Sequence, residues 1–248
     1  MLQKQLLLAL TAFLFSFYTS AQDNESGGGL AGAVAVKWAP ASIYFGKLSF
    51  SGEYSLNDKQ SLTLGVGIPF NKTVRQEIDD EEESLTHKTF SLMAGYRFYL
   101  GKRPGNGLYL EPFIKYLTHD AHSILEGDVG GSTRQFHFTS DYSAVGVGGQ
   151  LGVQFTIGNN FMIDLYFLGP EANIAKHETL SREIGAGPPW DAQDAQDAEE
   201  EIKDFFSDIP LLKDKLEVTV NANSRSANTK YSGFLPGIRA GVSIGFRF

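Results

Sequence analysis

The final stretch of the chain, residues 237–248, constrains the fold more than any other. One face carries Ile238, Ala240, Val242, Ile244, Phe246 and Phe248, and the other carries Gly237, Arg239, Gly241, Ser243, Gly245 and Arg247. Alternation with a period of two is typical of a β-strand with two unlike faces. An apolar face suits contact with lipid, and a face of glycines and arginines suits the lining of a narrow barrel. The stretch therefore favours a membrane-spanning strand over a half-buried strand of a water-soluble sheet.

Seven further segments alternate in the same way. They cover about 32–38, 47–56, 61–70, 88–100, 108–117, 145–157 and 161–167. The tight connections at 57–59, 101–107 and 158–160 are interleaved with long ones at 71–86, 118–134 and 175–232. An even number of strands joined by alternately short and long connections is typical of transmembrane barrels. We predict an all-β fold, an eight-stranded antiparallel transmembrane up-and-down β-barrel over 32–248.

The connection at 175–232 is predicted to be a long, partly helical extracellular loop. Asp191 or its neighbour could cap a helix after Pro188 and Pro189, and acidic residues in a first turn suit the helix dipole. Ile202 and Phe205 then follow at helical spacing, and Pro210 is expected to end or kink the helix. The sequence predicts that the apolar stripe packs onto the barrel mouth.

The N-terminus reads as a secretory signal peptide. Lys4 precedes an apolar core over 6–18, and small residues end at Ala21, which predicts a cleaved segment at 1–21. Residues 22–31 then form a flexible leader. The chain contains no cysteine, which excludes disulfides, thiolate metal sites and acylation at an N-terminal cysteine.

The acidic charge of the chain is concentrated in two of the predicted loops. Residues 71–86 carry six acids and two bases, and residues 175–232 carry twelve acids and seven bases. We therefore expect an acidic outer surface that could meet an extracellular partner. Binding to nucleic acid would need a basic patch and is not expected.

These patterns carry a family resemblance. An N-terminal signal, eight alternating segments and a last strand that ends Gly245-Phe246-Arg247-Phe248 resemble the small eight-stranded outer-membrane β-barrels of Gram-negative bacteria, the outer-membrane protein A-like and porin-like superfamily. The resemblance implies a location in the bacterial outer membrane, with outer-membrane lipid and the assembly machinery as partners. It also implies that Phe248 is part of the assembly signal.

Charged residues on the polar strand faces are predicted to lie inside the barrel. They are Lys37, Lys47, Glu53, Arg97, Glu111, Lys115, Asp164, Arg239 and Arg247. The excess of positive charge would suit a lining selective for anions. An eight-stranded barrel is, however, just wide enough to be filled by its own side chains, so its buried charges must pair. We predict a closed interior in which Arg239 and Arg247 pair with the three carboxylates.

Two histidines, His119 and His122, are weak candidates for catalysis. They lie at the predicted extracellular rim beside Asp120 and Glu126, with His137 on the next strand. A histidine with a carboxylate could act as a general base or bind a metal. The spacing matches no motif, and we predict no enzyme activity, no cofactor and no metal site.

The sequence favours an envelope protein with a structural or surface-interaction role. Two alternatives stay open, a narrow porin for small solutes and an outer-membrane enzyme that modifies lipids or peptides. A periplasmic barrel of the lipocalin kind would instead place its apolar side chains inside.

Overall fold

The computed structural model describes residues 29–78, 81–103, 105–129, 132–158, 160–207 and 215–248. The strands are β1 (Val34–Ala39), β2 (Lys47–Asn57), β3 (Gln60–Pro69), β4 (Lys72–Ile78), β5 (Glu81–Tyr99), β6 (Gly107–Val129), β7 (Ser132–Ile157), β8 (Phe161–Glu183), β9 (Leu216–Asn221) and β10 (Ser226–Arg247). A 3-10 helix (Pro40–Phe45) follows β1, and helix α1 (Ala192–Ser207) lies between β8 and β9. The predicted signal peptide lies outside the described residues, and so does most of the leader.

Eight of these strands close into a ring. The order is β1-β2-β3-β5-β6-β7-β8-β10, and β10 pairs back onto β1 with Val36 opposite Phe246. Every neighbouring pair is antiparallel. The predicted eight-stranded up-and-down barrel is confirmed. The additional strands stand outside the ring, β4 paired with β5 and β9 paired with β10.

The barrel has two unlike ends. At one, the tight-turn end, short turns join β2 to β3, β5 to β6 and β7 to β8. At the other, the extended end, β5, β6, β7, β8 and β10 rise well beyond the short strands β1, β2 and β3. The end of the leader is held at the tight-turn end, because the Leu30 N–H donates to Asp58 Oδ1 at 2.8 Å.

Two predicted long loops are mostly strand. The segment predicted as a loop at 118–134 is the tip of a hairpin, in which β6 and β7 pair from Gly107 opposite Gln154 up to Val129 opposite Ser132. Much of 71–86 is likewise the hairpin of β4 and β5. Both predictions were wrong because a strand beyond the lipid has water around its side chains and needs no apolar face. It can therefore continue without the alternation of apolar and polar residues from which the strands were assigned.

The predicted loop at 175–232 is also shorter than expected. Strand β8 continues to Glu183 and β10 begins at Ser226, so strand occupies both ends of the segment. The helix predicted within it is present as α1, and Asp191 caps it by accepting the Asp194 N–H at 2.8 Å. Pro210 lies outside the described residues.

The outward face of the ring is apolar. Large side chains stand exposed all round it, among them Val36, Leu64, Ile114, Val145, Ile174 and Ile238. A water-soluble protein does not expose a continuous apolar belt of this kind. Above the belt on β5 and β6, the outward ion pair of Lys88 and Asp120 marks the change from lipid to water. The belt is the membrane-facing surface of the barrel.

The inward face is polar and closely packed, and its glycines make room for large neighbours. A Cβ added at Gly95 would lie 2.6 Å from Glu111 Oε1, and one at Gly152 would lie 2.3 Å from the Tyr109 hydroxyl. The side chains of Glu111 and Tyr109 can therefore cross the interior only because no side chain stands opposite them. This explains why glycines alternate with apolar residues along these strands.

Candidate functional site

Lys37 on β1 lies at the centre of a charge cluster inside the barrel. Its Nζ donates to Glu53 Oε2 at 2.5 Å, to Gln154 Oε1 at 2.6 Å and to Asp164 Oδ2 at 2.8 Å. The side chains of Lys37, Glu53 and Asp164 are at most 4% exposed. Strands β1 and β7 are not neighbours in the ring, so the bond to Gln154 crosses the lumen.

Arg97 on β5 is the second cation of the cluster. Its Nε and one terminal nitrogen donate to Glu111 Oε2 at 2.9 and 2.6 Å. The other terminal nitrogen donates to Asp164 Oδ2 at 2.8 Å and to Gln154 Oε1 at 2.9 Å. The guanidinium also stacks on Tyr109, with its carbon 3.7 Å from the ring centroid. Arg97 therefore joins β5 to β6, β7 and β8 and fills the lumen beside Lys37.

Neutral donors complete the bonding of the three carboxylates. The hydroxyls of Tyr99 and Ser61 donate to Glu53 at 2.5 and 2.8 Å, and the Tyr109 hydroxyl donates to Asp164 at 2.6 Å. Glu111 accepts from the Thr63 hydroxyl at 2.5 Å and from the Gln150 amide at 2.9 Å. Each carboxylate thus accepts bonds from both a cation and a neutral group. A buried charge is tolerated only when it is paired and its remaining lone pairs are satisfied.

The side chains of the cluster meet across the lumen. Two cations face three carboxylates in side chains that are all at most 4% exposed, so their sum is one negative charge. In an eight-stranded barrel the lumen is only as wide as the side chains that fill it. The hydrogen-bonded network of the cluster reaches across that width.

A second set of interior contacts lies at the tight-turn end. Arg247 donates to the Gly105 carbonyl at 2.9 Å, and the Gln154 amide donates to the same oxygen at 2.9 Å. The turn between β5 and β6 is thereby held against the inside of the barrel. Arg247 is 9% exposed and lies on the inward face of β10.

The predicted partners of Arg239 and Arg247 were wrong. All three carboxylates bind Lys37 or Arg97, whereas Arg247 binds a backbone carbonyl. Arg239 lies instead over the ring of Tyr166, with its guanidinium carbon 4.7 Å from the ring centroid. Sequence places a residue on a face of a strand, but its partners across the lumen depend on the relative heights of strands that are not adjacent.

Above the cluster the interior opens into a cavity of about 320 Å³. The cavity reaches from Lys37 and Arg97 to the 3-10 helix Pro40–Phe45 at the extended end. We call it the cationic cavity, because it is lined by Lys47, Lys115 and Arg239 in addition to the cluster.

The three cations of the cavity have few partners. Lys115 forms an ion pair with Glu171, whereas the Lys47 ammonium donates to the Ser91 hydroxyl at 3.1 Å. The Arg239 Nε is buried and has no hydrogen-bond partner within the described part of the chain. Outside the cluster, the lining of the cavity therefore holds two more positive than negative charges, whereas the cluster below it carries one negative charge.

Glu171 is a site residue that the sequence interpretation missed. The predicted seventh strand ended at 167, whereas β8 continues through Glu171 after an irregularity that shifts the register near Gly152. Beyond this shift the inward positions become odd-numbered, with Asn173 and Ala175 buried. The alternation of Asn173 and Ala175 with Ile174 indicates that the strand continues, but its inward positions are odd-numbered, whereas those before the shift are even-numbered.

The predicted pair of His119 and His122 does not form a site. Both lie on β6, three residues apart, so they point to opposite faces of the sheet. His119 faces inward, with its Nδ1 2.8 Å from the Thr89 hydroxyl and its ring 5.4 Å from that of His87, whereas His122 is exposed. The grouping was wrong because 118–134 was treated as a loop, where spacing does not decide direction.

Within the described ranges no group of three or more His, Asp or Glu residues is arranged to hold a metal ion. The helices described there include none that is long and apolar enough to cross a membrane.

The extended end carries a separate apolar core, which we call the cap. Val129 and Phe136 from the β6–β7 hairpin pack with Trp190 and with Ala198 of α1. The aromatic rings of Phe136 and Trp190 meet edge to face, with centroids 6.2 Å apart. Helix α1 is thus fixed on the tip of the β6–β7 hairpin.

Glu183 links the cap to the barrel strands. It accepts bonds from the Trp190 indole N–H at 2.6 Å, from Arg225 at 2.7 Å and from Arg134 at 3.2 Å. Partial burial would raise the pKa of Glu183, but the bonds from Trp190 and Arg134 and the charge of Arg225 outweigh it and hold the pKa below its usual value. The carboxylate is therefore charged where the cap is formed, and its protonation weakens the cap.

An eight-stranded ring with an apolar outer belt, an interior of paired charges, and long hairpins at one end defines a transmembrane barrel of the outer-membrane type. Residues 7–187, more than half of the chain, match the family model described as "Outer membrane protein beta-barrel domain". The chain belongs to this family, and this points to the bacterial outer membrane as its location.

Two solved structures share similarity with the chain. The crystal structure of Acinetobacter baumannii CarO is 10% identical, over 88% of this chain and 98% of that chain, with a TM-score of 0.40. The N-terminal β-barrel domain of Pseudomonas aeruginosa OprF is 18% identical, over 89% of this chain and 100% of that chain, with a TM-score of 0.27. A search of curated protein sequences found no match.

Proposed function

We propose that this protein is a closed, non-conducting outer-membrane barrel that has an envelope structural role and presents its extended end to a partner outside the cell. The observation that carries the proposal is the cluster around Lys37 and Arg97, whose bonds reach across the lumen between strands that are not neighbours. A channel of this strand number would have to break them to pass an ion.

The extended end supports the surface role. The α1 helix is fixed by the apolar core of the cap, and its exposed side includes Asp191, Glu200 and Glu201. An ordered, acidic surface held away from the membrane suits contact with a basic partner. The aromatic ring of Phe248 is exposed on the outer face beside β1, where the assembly machinery can reach it.

Conductance in planar lipid bilayers tests the closed interior. Folded wild-type protein is expected to give no sustained single-channel steps. The double variant Lys37→Ser, Asp164→Ser removes one cation and one carboxylate together, so the remaining charge of the cluster is unchanged, and channel steps are expected to appear.

The matched control is the double variant Arg134→Ser, Glu183→Ser, which removes an ion pair from the extended end and leaves the lumen intact. It is expected to be as silent as the wild type. Regular steps in wild-type protein of confirmed fold would reject the closed barrel in favour of a narrow porin.

A further inference from the structure

The cationic cavity has an excess of positive charge, whereas the cluster below it has an excess of negative charge. Lys47, Lys115 and Arg239 line it, and Glu171 is the carboxylate paired there. Below it, the cluster has three carboxylates for two cations. Since the cluster carries its own excess of negative charge in internal bonds, it has no free carboxylate to offer the cavity.

Arg239 is preorganised for an anion. Tyr166 packs against the guanidinium, and Phe113 lies on a further side, with its ring centroid 5.9 Å from the guanidinium carbon. Stacking of this kind leaves the N–H groups in the plane of the guanidinium free to donate. One of them, on Nε, is buried and has no partner among the described residues, which is costly unless an acceptor occupies the cavity.

The remaining lining supplies further donors. The Lys47 ammonium bonds a hydroxyl that is itself neutral, so its charge is not cancelled. Hydroxyls of Ser49, Ser51 and Ser91 also line the cavity. Its volume of about 320 Å³ suits a small molecule and is far too small for a peptide segment.

We infer that the cationic cavity binds a small oxyanion with two negative charges, a phosphate or a dicarboxylate. Arg239 donates hydrogen bonds to the anion in the plane of its guanidinium group, and Lys47 and Lys115 contribute positive charge. Glu171 limits the affinity for the anion because it forms an ion pair with Lys115. A dianion matches the two unbalanced positive charges of the cavity and supplies the acceptor that Arg239 lacks. The ligand enters from the extended end, because the cluster closes the other side.

The test is calorimetric titration of the folded protein in uncharged detergent with inorganic phosphate and, separately, with succinate at low ionic strength. Saturable binding of either probe is expected, and the one that binds identifies the tetrahedral or the dicarboxylate form. Arg239→Gln is expected to weaken binding about tenfold or more, the usual consequence of losing a charged hydrogen bond. Lys47→Gln is expected to weaken it several-fold.

Lys230→Gln is the control, because it removes one positive charge from the exposed surface, where Lys230 pairs with Glu178. It is expected to leave binding unchanged. Glu171→Gln is a second, opposite variant that keeps the inference testable if Arg239→Gln fails to fold. It removes the opposing carboxylate and is expected to tighten binding several-fold.

The inference is overturned if the wild type binds neither probe, if Lys230→Gln weakens binding as much as Lys47→Gln, or if Glu171→Gln weakens it. None of these results depends on conductance, since a closed barrel can bind or fail to bind an anion, and so can an open one. Failure of the binding site and failure of the closed barrel are therefore distinguishable.

Discussion

The barrel interior and the cap are built on opposite plans. Inside the membrane belt the side chains at the centre are Lys37, Arg97 and their carboxylates, and the apolar residues face outward. In the cap the centre is apolar, with Phe136 and Trp190, and the charges lie around it. Each region places its apolar side chains away from water. In the barrel they face the lipid outside, and in the cap, which is surrounded by water, they face the centre.

The difference also determines how each region fails. A buried ion-pair network loses stability when one partner is removed, because the other is left charged and unpaired. An apolar core loses stability in proportion to the contacts and area removed. The interior should therefore be most sensitive to the loss of a charge, and the cap to the loss of an aromatic ring.

The largest effect is expected from Arg97→Met. Among the bonds described, Glu111 then has no cationic partner, and Asp164 keeps Lys37 as its cationic partner. We expect a loss of about 3–5 kcal/mol in the free energy of unfolding, the range for breaking a buried pair. Urea unfolding in detergent, followed by the difference in gel mobility between folded and unfolded barrel, measures it.

Lys88→Met is the control for Arg97→Met, since Lys88 forms an exposed pair with Asp120 on the outward face. A change within about 1 kcal/mol is expected there. Equal losses for both variants would show that the cluster contributes no more than a surface pair.

Trp190→Ala is expected to have a local effect that leaves the free energy of unfolding of the barrel unchanged. It removes the indole from the core of the cap and the donor to Glu183. Loss of a buried Trp in a core costs about 3–5 kcal/mol, but here the cost falls on the cap and not on the ring of strands. Protease cleavage between β8 and β10 should become much faster, while urea unfolding of the barrel stays unchanged. Unfolding of the barrel at lower urea would mean that the cap and ring are one cooperative unit.

The smallest expected effect is that the stability of the cap depends on pH. The pKa of Glu183 in the folded protein lies below its usual value, so its bonds contribute stability above the unfolded pKa, and this contribution is lost as the pH falls through the folded one. In a Trp38→Phe background, Trp190 is the only tryptophan and its fluorescence reports the cap. We expect the signal to change below about pH 4, the ordinary range for a glutamate.

Glu183→Gln supplies the comparison for that titration. The amide keeps the shape of the side chain but does not ionise, so the change in fluorescence below pH 4 should disappear. A transition of the same size in Glu183→Gln would assign it to other carboxylates of the cap.

The sequence was sufficient to predict the ring of strands, but not which inward charged residues bond to each other. Alternation placed Lys37, Arg97, Glu111 and Asp164 on inward faces, because a strand with one face in lipid leaves a strong period of two. It could not pair them, since Gln154 reaches Lys37 across the lumen from a strand that is remote in the ring. That contact depends on how the strands are staggered around the barrel.

The extended end was the least predictable part. There both faces of β6 and β7 meet polar surroundings or the cap, so the pattern that revealed the membrane strands fades beyond Leu117. The consequence for the site was direct, because His119 and His122 could be assigned to opposite faces only once β6 was known to continue. The helix cap, in contrast, could be narrowed to Asp191 or its neighbour because capping is a local interaction, and the structure assigns it to Asp191.

Reactivity of single cysteines tests the central claim most directly, since the natural chain has no cysteine. Ser91 lines the cationic cavity above the cluster, whereas Ser61 donates to Glu53 of the cluster and is 0% exposed. With a charged thiol reagent on folded protein in detergent, Ser91→Cys should be modified and Ser61→Cys should stay unmodified until the protein is unfolded. Equally fast modification of both in the folded state would contradict a barrel that is open above the cluster and closed at it.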